Sequence, residues 1–401
     1  MLFTLVGLLW TVGAAGDGAP ALQKPAAKPM PLPEGRHVVL RSAQELRAAL
    51  EGNPEDITLL LADGVYTIET PIEVASARNV LLRSESSDPT KVTLRGRGFL
   101  VGEPGDDILR LGAVHRFTIA HITFAECRSY AVQVRAERFP TEVHIYDCHF
   151  RDIGIRAIKG STDQQGVARG GSIRHCHFQN SRVPPAEWLF DGNYITAIDM
   201  MSLDGWTIAD NTFLAIRGRT GEGRGAIFIW VRSRNVVIER NLILGCDRGI
   251  SLGNPSGSTN FRAGEPHVTN AVVRNNVLMP GPDAAIELWW VTRAQVLHNT
   301  LWREDARGRG IRGGSEEWPL RDVTVAGNLV HGALELEGEV EQRDNLTAEV
   351  ERLLRDSAKG DLRPRVSAEE MPRAAGTRAE VADDYFGRPR PERPALGAIE
   401  P

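Results

Sequence analysis

Apolar and polar residues alternate with a period of two through most of this chain, in bursts of roughly four to eight residues broken by Gly, Asn and Asp. One motif recurs: a small residue, a branched apolar residue, a variable residue, then usually another apolar one. The copies are AVQV at Ala131, AIKG at Ala157, AIDM at Ala197, AIFI at Ala226, GISL at Gly249, AIEL at Ala285, GIRG at Gly310 and ALEL at Ala333. Their intervals run from 23 to 40 residues, and the shortest suit a single coil with little insertion. A second set of strings aligns between them: VHIYDCHF, GSIRHCHF, WTIADNTF, VVIERNLI, AVVRNNVL, AQVLHNTL and VTVAGNLV. Its shared turn column reads Cys148, Cys176, Asn211, Asn241, Asn276, Asn299 and Asn328. Asn suits such a column because it tolerates left-handed backbone and its amide can bond locally or to the next coil. The pattern predicts an all-β parallel β-helix, a solenoid whose coils pair as parallel strands about 4.8 Å apart and bury their faces by stacking.

Two helices are expected as caps, AQELRAALE over 43–51 and LTAEVERLLRD over 346–356. The solenoid is assigned to 36–345, and 346–401 to the C-terminal helix and a Pro/Arg-rich tail laid on the body or left loose. Residues 2–15 are apolar, too short to span a bilayer comfortably, and end in small residues. They read as a signal peptide over 1–16, followed by a Pro/Ala-rich linker over 17–35 and a secreted or periplasmic, monomeric body.

Composition narrows the choice of partner. With 47 basic and 52 acidic residues, the net charge of -5 argues against nucleic acid but leaves room for a local basic patch. RGRTGEGRG has no GK[ST] after it, which excludes a nucleotide-binding loop. Cys127, Cys148, Cys176 and Cys246 lie in apolar repeats with no CxxC and read as small buried hydrophobes, although export would permit pairing.

The repeat also assigns side-chain direction. Second and fourth residues of each motif point inward, first and third outward. The outward third column is Gln133, Lys159, Asp199, Phe228, Ser251, Glu287, Arg312 and Glu335. Beside it, the fifth column holds Trp230 and Trp289, two coils or roughly 10 Å apart, a spacing suited to an extended glycan. Trp290 is expected in the core. Lys159 and Asp199 fall on adjacent coils, as an ordinary ion pair or as a general base with its electrostatic partner. Glu287 lies three coils beyond Asp199, too far for a glycosidase pair unless a loop carboxylate such as Asp191 or Glu222 replaces one partner. Insertions at 161–172, 179–196, 217–225 and 253–270 flank this face and would make it a groove. Arg217, Arg219, Arg224, Arg248 and Arg312 could line that groove for carboxylates or sulfates, with Tyr194 at its edge. Glu187, Asp191, Glu222 and Asp247 with Asp199 make Ca²⁺ a candidate cofactor, although no compact carboxylate motif is present.

The Asn ladder and repeated strands over about 36–340 resemble the pectate-lyase-like superfamily of right-handed parallel β-helices. AIDMMSLDGWTIADNTF, AIFIWVRSRNVVIERNLI, CDRGISLGNP and the ending FGRPRPERPALGAIEP are similar to a family of secreted bacterial β-helix proteins. Similarity to alginate lyases and chondroitinase B-like lyases implies a Lys base, an Arg acid and often Ca²⁺, with Lys159 in DIGIRAIKGS at the Lys position and Arg182, Arg217 and Arg219 as loop candidates. Against the Asp-Pro-His-Asp signature of mannuronan C5-epimerases, Asp199 matches the first carboxylate while Met200 and Met201 replace Pro and His. The expectation is a lyase acting by β-elimination on an anionic, uronic-acid-containing polysaccharide, with catalytic Lys159, Asp199 and Arg219. The alternatives are a non-catalytic glycan-binding scaffold and a glycosidase built on Asp199.

Overall fold

The computed structural model describes residues 22, 24, 27–255, 265–375 and 381–401. The expected signal peptide and part of the 253–270 insertion lie outside the described residues. Strands run from Arg36–Leu40 to Gly338–Arg343 in a right-handed parallel β-helix. A 20-stranded sheet folds round one corner to form two faces, and a 10-stranded sheet forms the third. In the early coils, Ile72–Ser84 and Leu109–Ala120 cross that corner unbroken and pair along their length. Later coils break there, and the insertions at 161–172 and 253–270 enter at that break, whereas those at 179–196 and 217–225 enter where the chain leaves the 10-stranded sheet, before Thr196–Met201 and Gly225–Trp230.

The interior is the period-2 apolar set. Ile158, Ile198, Ile227, Ile250, Ile286 and Ile311 are fully buried and stack coil on coil. Phe124, Phe150, Phe178 and Phe213 stack in the third sheet with centroids 5.2, 4.7 and 4.7 Å apart. The offset-parallel contacts fill the interior without leaving gaps between rungs. All four cysteines are free and buried, and burial pushes the Cys246 thiol up to about 12.

The Asn column forms one continuous hydrogen-bonded ladder. Each Asn Oδ1 accepts from the backbone N–H and the Nδ2 of the preceding rung, through Asn211, Asn241, Asn276, Asn299, Asn328 and Asn345. Asn345 is one rung beyond the expected column. The left-handed residue is not the Asn but the one before it: Asp210, Arg240, Asn275 and His298 have φ of 60, 52, 55 and 49°. The Asn thus contributes by bonding across coils.

The N-terminal helix forms at Ala43–Glu51, capped by Ser42 Oγ accepting from Glu45 N–H. The C-terminal helical element is shorter than expected. Leu346 bridges to Leu329 as a further rung, and only Val350–Leu353 winds into a 3₁₀ turn before the strand Leu354–Asp356. The tail lies on the body: Tyr385 and Arg390 are buried, and Arg390 Nη2 donates to Asn275 Oδ1 at 2.8 Å. The described part of 17–35 also packs down, with Leu22 buried and its carbonyl accepting from the Tyr385 hydroxyl at 2.9 Å. Among the described residues no helix is long and apolar enough to cross a membrane.

Candidate functional site

The outward third column exists in full register. Gln133, Lys159, Asp199, Phe228, Ser251, Glu287, Arg312 and Glu335 are successive Cα partners. It is not an open display, however. Lys159 is 6% exposed, Asp199 1%, and Phe228, Ser251 and Glu287 are also buried. The inserted loops roof its middle, and only the far end, at Glu335, is exposed.

The column carries two charged clusters. In the first, Asp199 Oδ2 accepts from Arg156 Nε at 2.6 Å and lies 3.1 Å from Lys159 Nζ, while Oδ1 accepts from Trp230 Nε1 at 3.0 Å. Arg156 also donates to the Ile155 and Tyr194 carbonyls and lies 3.9 Å from the centre of the Tyr194 ring. Burial would raise the Asp199 carboxyl, but Lys159, Arg156 and the hydrogen bonds from Arg156 and Trp230 overcome it and hold the group at about 2. Burial lowers the Lys159 ammonium, Asp199 opposes that, and Arg156 reinforces it. Two cations therefore share one carboxylate. Tyr130, the register partner of Arg156, has its phenol pushed up to about 12 by burial.

In the second cluster, Arg248 Nε donates to Asp283 Oδ2 at 2.6 Å, and Arg312 bonds both Asp283 and Glu287. Ser251 Oγ donates to Glu287 Oε2 at 2.9 Å. Two part-buried arginines here meet two carboxylates, and the exposed Arg309 reaches Asp283 at 3.9 Å and Glu335 at 3.8 Å. Arg312 also lies 5.6 Å from the Trp289 ring centre.

Between the clusters, Arg224 lies 5.0 Å from the centre of the Phe228 ring, which stacks on Trp230 at 5.0 Å. Its Nη2 donates to Asn254 Oδ1, while its buried Nη1 has no hydrogen-bond partner among the described residues. Asp247 shapes the roof above. Its Oδ2 accepts from Gly218 and Gly223 N–H at 2.7 and 2.8 Å, pinning both ends of the 217–225 loop. A Cβ on Gly223 would lie 2.7 Å from that oxygen, so the pinch needs glycine. Burial pushes Asp247 up to about 6, against the two N–H groups, Arg217 and Arg248.

Several expected site residues are placed differently. Arg219 sits on the exposed rim, ion-paired with Asp191 across two loops; no hydrogen bond or ion pair joins it to Lys159 or Asp199. Arg217 donates to the Gly245 carbonyl and serves the roof. Trp230 and Trp289 are half-buried, with the Trp230 indole committed to Asp199, rather than an open platform. Trp290 is not core: it is half-buried at the corner, with φ of 57° and its ring against Trp318. Asp199 and Glu287 are both tied to cations and three rungs apart, which leaves no glycosidase pair between them. The Ca²⁺ ligand set does not assemble either. Asp191 faces Arg219, Asp247 holds backbone, and among the described residues no three His, Cys, Asp or Glu side chains group as a metal would need.

Arg156 and Tyr130 are the site residues that sequence reasoning missed. Period-2 counting puts Arg156 on the same side as Ile158. It is the first residue of its strand, at a corner, and its guanidinium ends on Asp199.

These features define a right-handed parallel β-helix of the pectate-lyase type. No family model and no curated protein matches the chain. Among solved structures it is similar to pectate lyase Pel9A, at 10% identity over 92% of this chain and 97% of that one, with a TM-score of 0.53. It is also similar to a mutant tailspike protein of E. coli bacteriophage HK620 in complex with pentasaccharide, at 12% identity over 78% of this chain and 57% of that one, with a TM-score of 0.50. At these identities the likeness is one of fold.

Proposed function

We propose that the protein is an exported polysaccharide lyase that cleaves a uronic-acid-containing chain by β-elimination. One observation carries the reading: a buried cluster of two cations and one carboxylate on the outer face. Such a cluster can shed its surplus charge only through the lysine, because a guanidinium does not deprotonate in proteins. Lys159 is thereby poised as a neutral base. In the proposed step its Nζ takes the C5 proton, and the electron pair forms the C4–C5 double bond as the C4–O glycosidic bond breaks. Tyr130, kept protonated by burial, supplies the leaving oxygen with a proton. Arg156 and Arg224 offer positive charge to the substrate carboxylate and lower the cost of the carbanion. The neighbours whose names include a pectate lyase and a pentasaccharide complex support carbohydrate as the ligand class. The apolar run at 2–15 supports export.

The burial of Lys159 and Asp199 favours one rival, a glycan-binding body without chemistry, in which the cluster is a structural pin. Ultraviolet absorbance of the unsaturated product separates the two, read on alginate, polygalacturonate, hyaluronan and chondroitin with and without Ca²⁺. A lyase gives absorbance that Lys159→Ala abolishes and that rises with pH as Lys159 loses its proton. A folded wild-type protein giving none on any of these chains would end the lyase reading for them, and a reducing-end assay on the same samples would expose hydrolysis.

A further inference from the structure

The corner that follows the charged face carries a second feature that the column does not use. The Trp230, His267, Trp290 and Trp318 rings form a continuous row along the solenoid axis, with successive centroids 5.9, 5.1 and 4.0 Å apart. Trp290 and Trp318 are half-exposed. A groove of about 270 Å³ on the same corner is lined among others by Arg232, Arg234, Glu265, Pro266, Thr269 and Arg293; none of the four rings lines it, but Pro266 adjoins His267 in the chain. Its volume is just under the roughly 300–1,000 Å³ of typical small-molecule sites, room for one sugar unit of a longer chain rather than for an enclosed ligand. Three arginines stand here against two carboxylates: Arg232 pairs with Glu265 at 3.0 Å and Arg234 with Asp204 at 2.9 Å. Arg293 is exposed and, among the described residues, has no ion pair or hydrogen bond.

We propose that this corner is a second polysaccharide-binding strip, which holds an anionic glycan along the solenoid axis outside the roofed column. Half-exposed indole faces offer apolar area to the C–H faces of sugar rings. Arginine forks match carboxylate or sulfate groups along the same chain, and Arg293 is available without breaking a pair. The hydroxyl of Thr269 adds a neutral partner for sugar hydroxyls. The strip takes from the lyase reading only its ligand class and stands or falls without catalysis.

The test is retardation of the full chain in native gels containing alginate or polygalacturonate, with dextran as the neutral control. The wild type is expected to be slowed by at least one acidic polymer and not by dextran, with retardation falling at high salt. Arg234→Ala/Arg293→Ala is expected to weaken the apparent affinity about tenfold. Trp318→Ala is expected to weaken it as well, whereas Arg95→Ala, an exposed arginine on the 10-stranded sheet, binds as wild type. Both arginines are on the surface, so the double variant should keep the wild-type Tm. Absence of retardation by either acidic polymer would overturn the strip. So would retardation that survives Arg234→Ala/Arg293→Ala unchanged, since binding would then belong to another face.

Discussion

The two charged clusters lie on the same outer column and differ in charge balance and in depth: Arg156, Lys159 and Asp199 are all buried, whereas Arg248, Arg312 and Asp283 are part-buried around a buried Glu287. Around Glu287 two arginines meet two carboxylates. Around Asp199 two cations meet one. A balanced buried network satisfies itself and needs no ligand. An unbalanced one holds a charge that must be answered, either by loss of a proton or by an incoming anion. Charge count therefore distinguishes the two clusters better than residue type does, since arginine and a carboxylate appear in both places.

The comparison breaks most forcefully at Asp199. Asp199→Asn leaves Arg156 and Lys159 buried without a counter-charge and should cost about 3–5 kcal/mol in urea unfolding. Lys159→Met leaves Arg156 and Trp230 on the carboxylate, so it should stay within about 1 kcal/mol of wild type while product formation disappears. Equal losses from both substitutions would show that the cluster is a structural pin.

The loop that Asp247 pins between the clusters comes next. The folded-state carboxyl of Asp247 is raised to about 6, so the folded protein binds this proton more tightly than the unfolded chain. The stabilisation it confers is complete below the unfolded value of 3.8 and is lost as pH rises through about 6. Asp247→Asn keeps an acceptor for Gly218 and Gly223 and removes the charge. It should gain up to about 3 kcal/mol above pH 7 and flatten the stability profile between the two values, as denaturation across pH would show. An unchanged profile would mean that another group sets it.

In the balanced cluster, Glu287→Gln should cost about 2 kcal/mol, because Arg312 and Arg248 keep Asp283 while the close pair with Arg312 and the longer one with Arg248, at 3.9 Å, are lost. Turnover per folded molecule should persist; its loss would give this cluster a place in the chemistry. The smallest effect is expected at Arg219, an exposed partner of Asp191. Arg219→Ala should change stability by less than about 1 kcal/mol and leave catalysis intact, and a large fall in turnover would restore it to the reaction.

The repeat and its outward column were legible because period-2 alternation with a small first residue leaves one choice of side, and parallel stacking then sets the register. Lys159 against Asp199 followed from that alone. The roof was not legible: a motif records which way Phe228 points, not whether a loop from another coil covers it. Arg156 was hidden because strand parity lapses at the corner where its strand begins. Helical spacing in LTAEVERLLRD lost to tertiary context, since Leu346 finds a ready rung on Leu329 and the left-handed Glu349 limits the winding to one short turn. The left-handed position was misplaced by one because Asn serves this fold by bridging coils, work that its own backbone need not distort to do.

The last stretch of the chain has a mechanical meaning. A solenoid is ordinarily a stack in which each coil knows only its neighbours, so it can fray from either end. Here one strap touches many coils lengthwise: Asp383 reaches Arg240 and Asn275, Ala395 meets His298, Ala398 takes Thr300, and Gly397 bonds back to Gly327. Tyr385 in the same strap holds Leu22 from the other end of the chain. Peeling one terminus must then loosen the other, so a structure assembled coil by coil comes apart as a single cooperative unit.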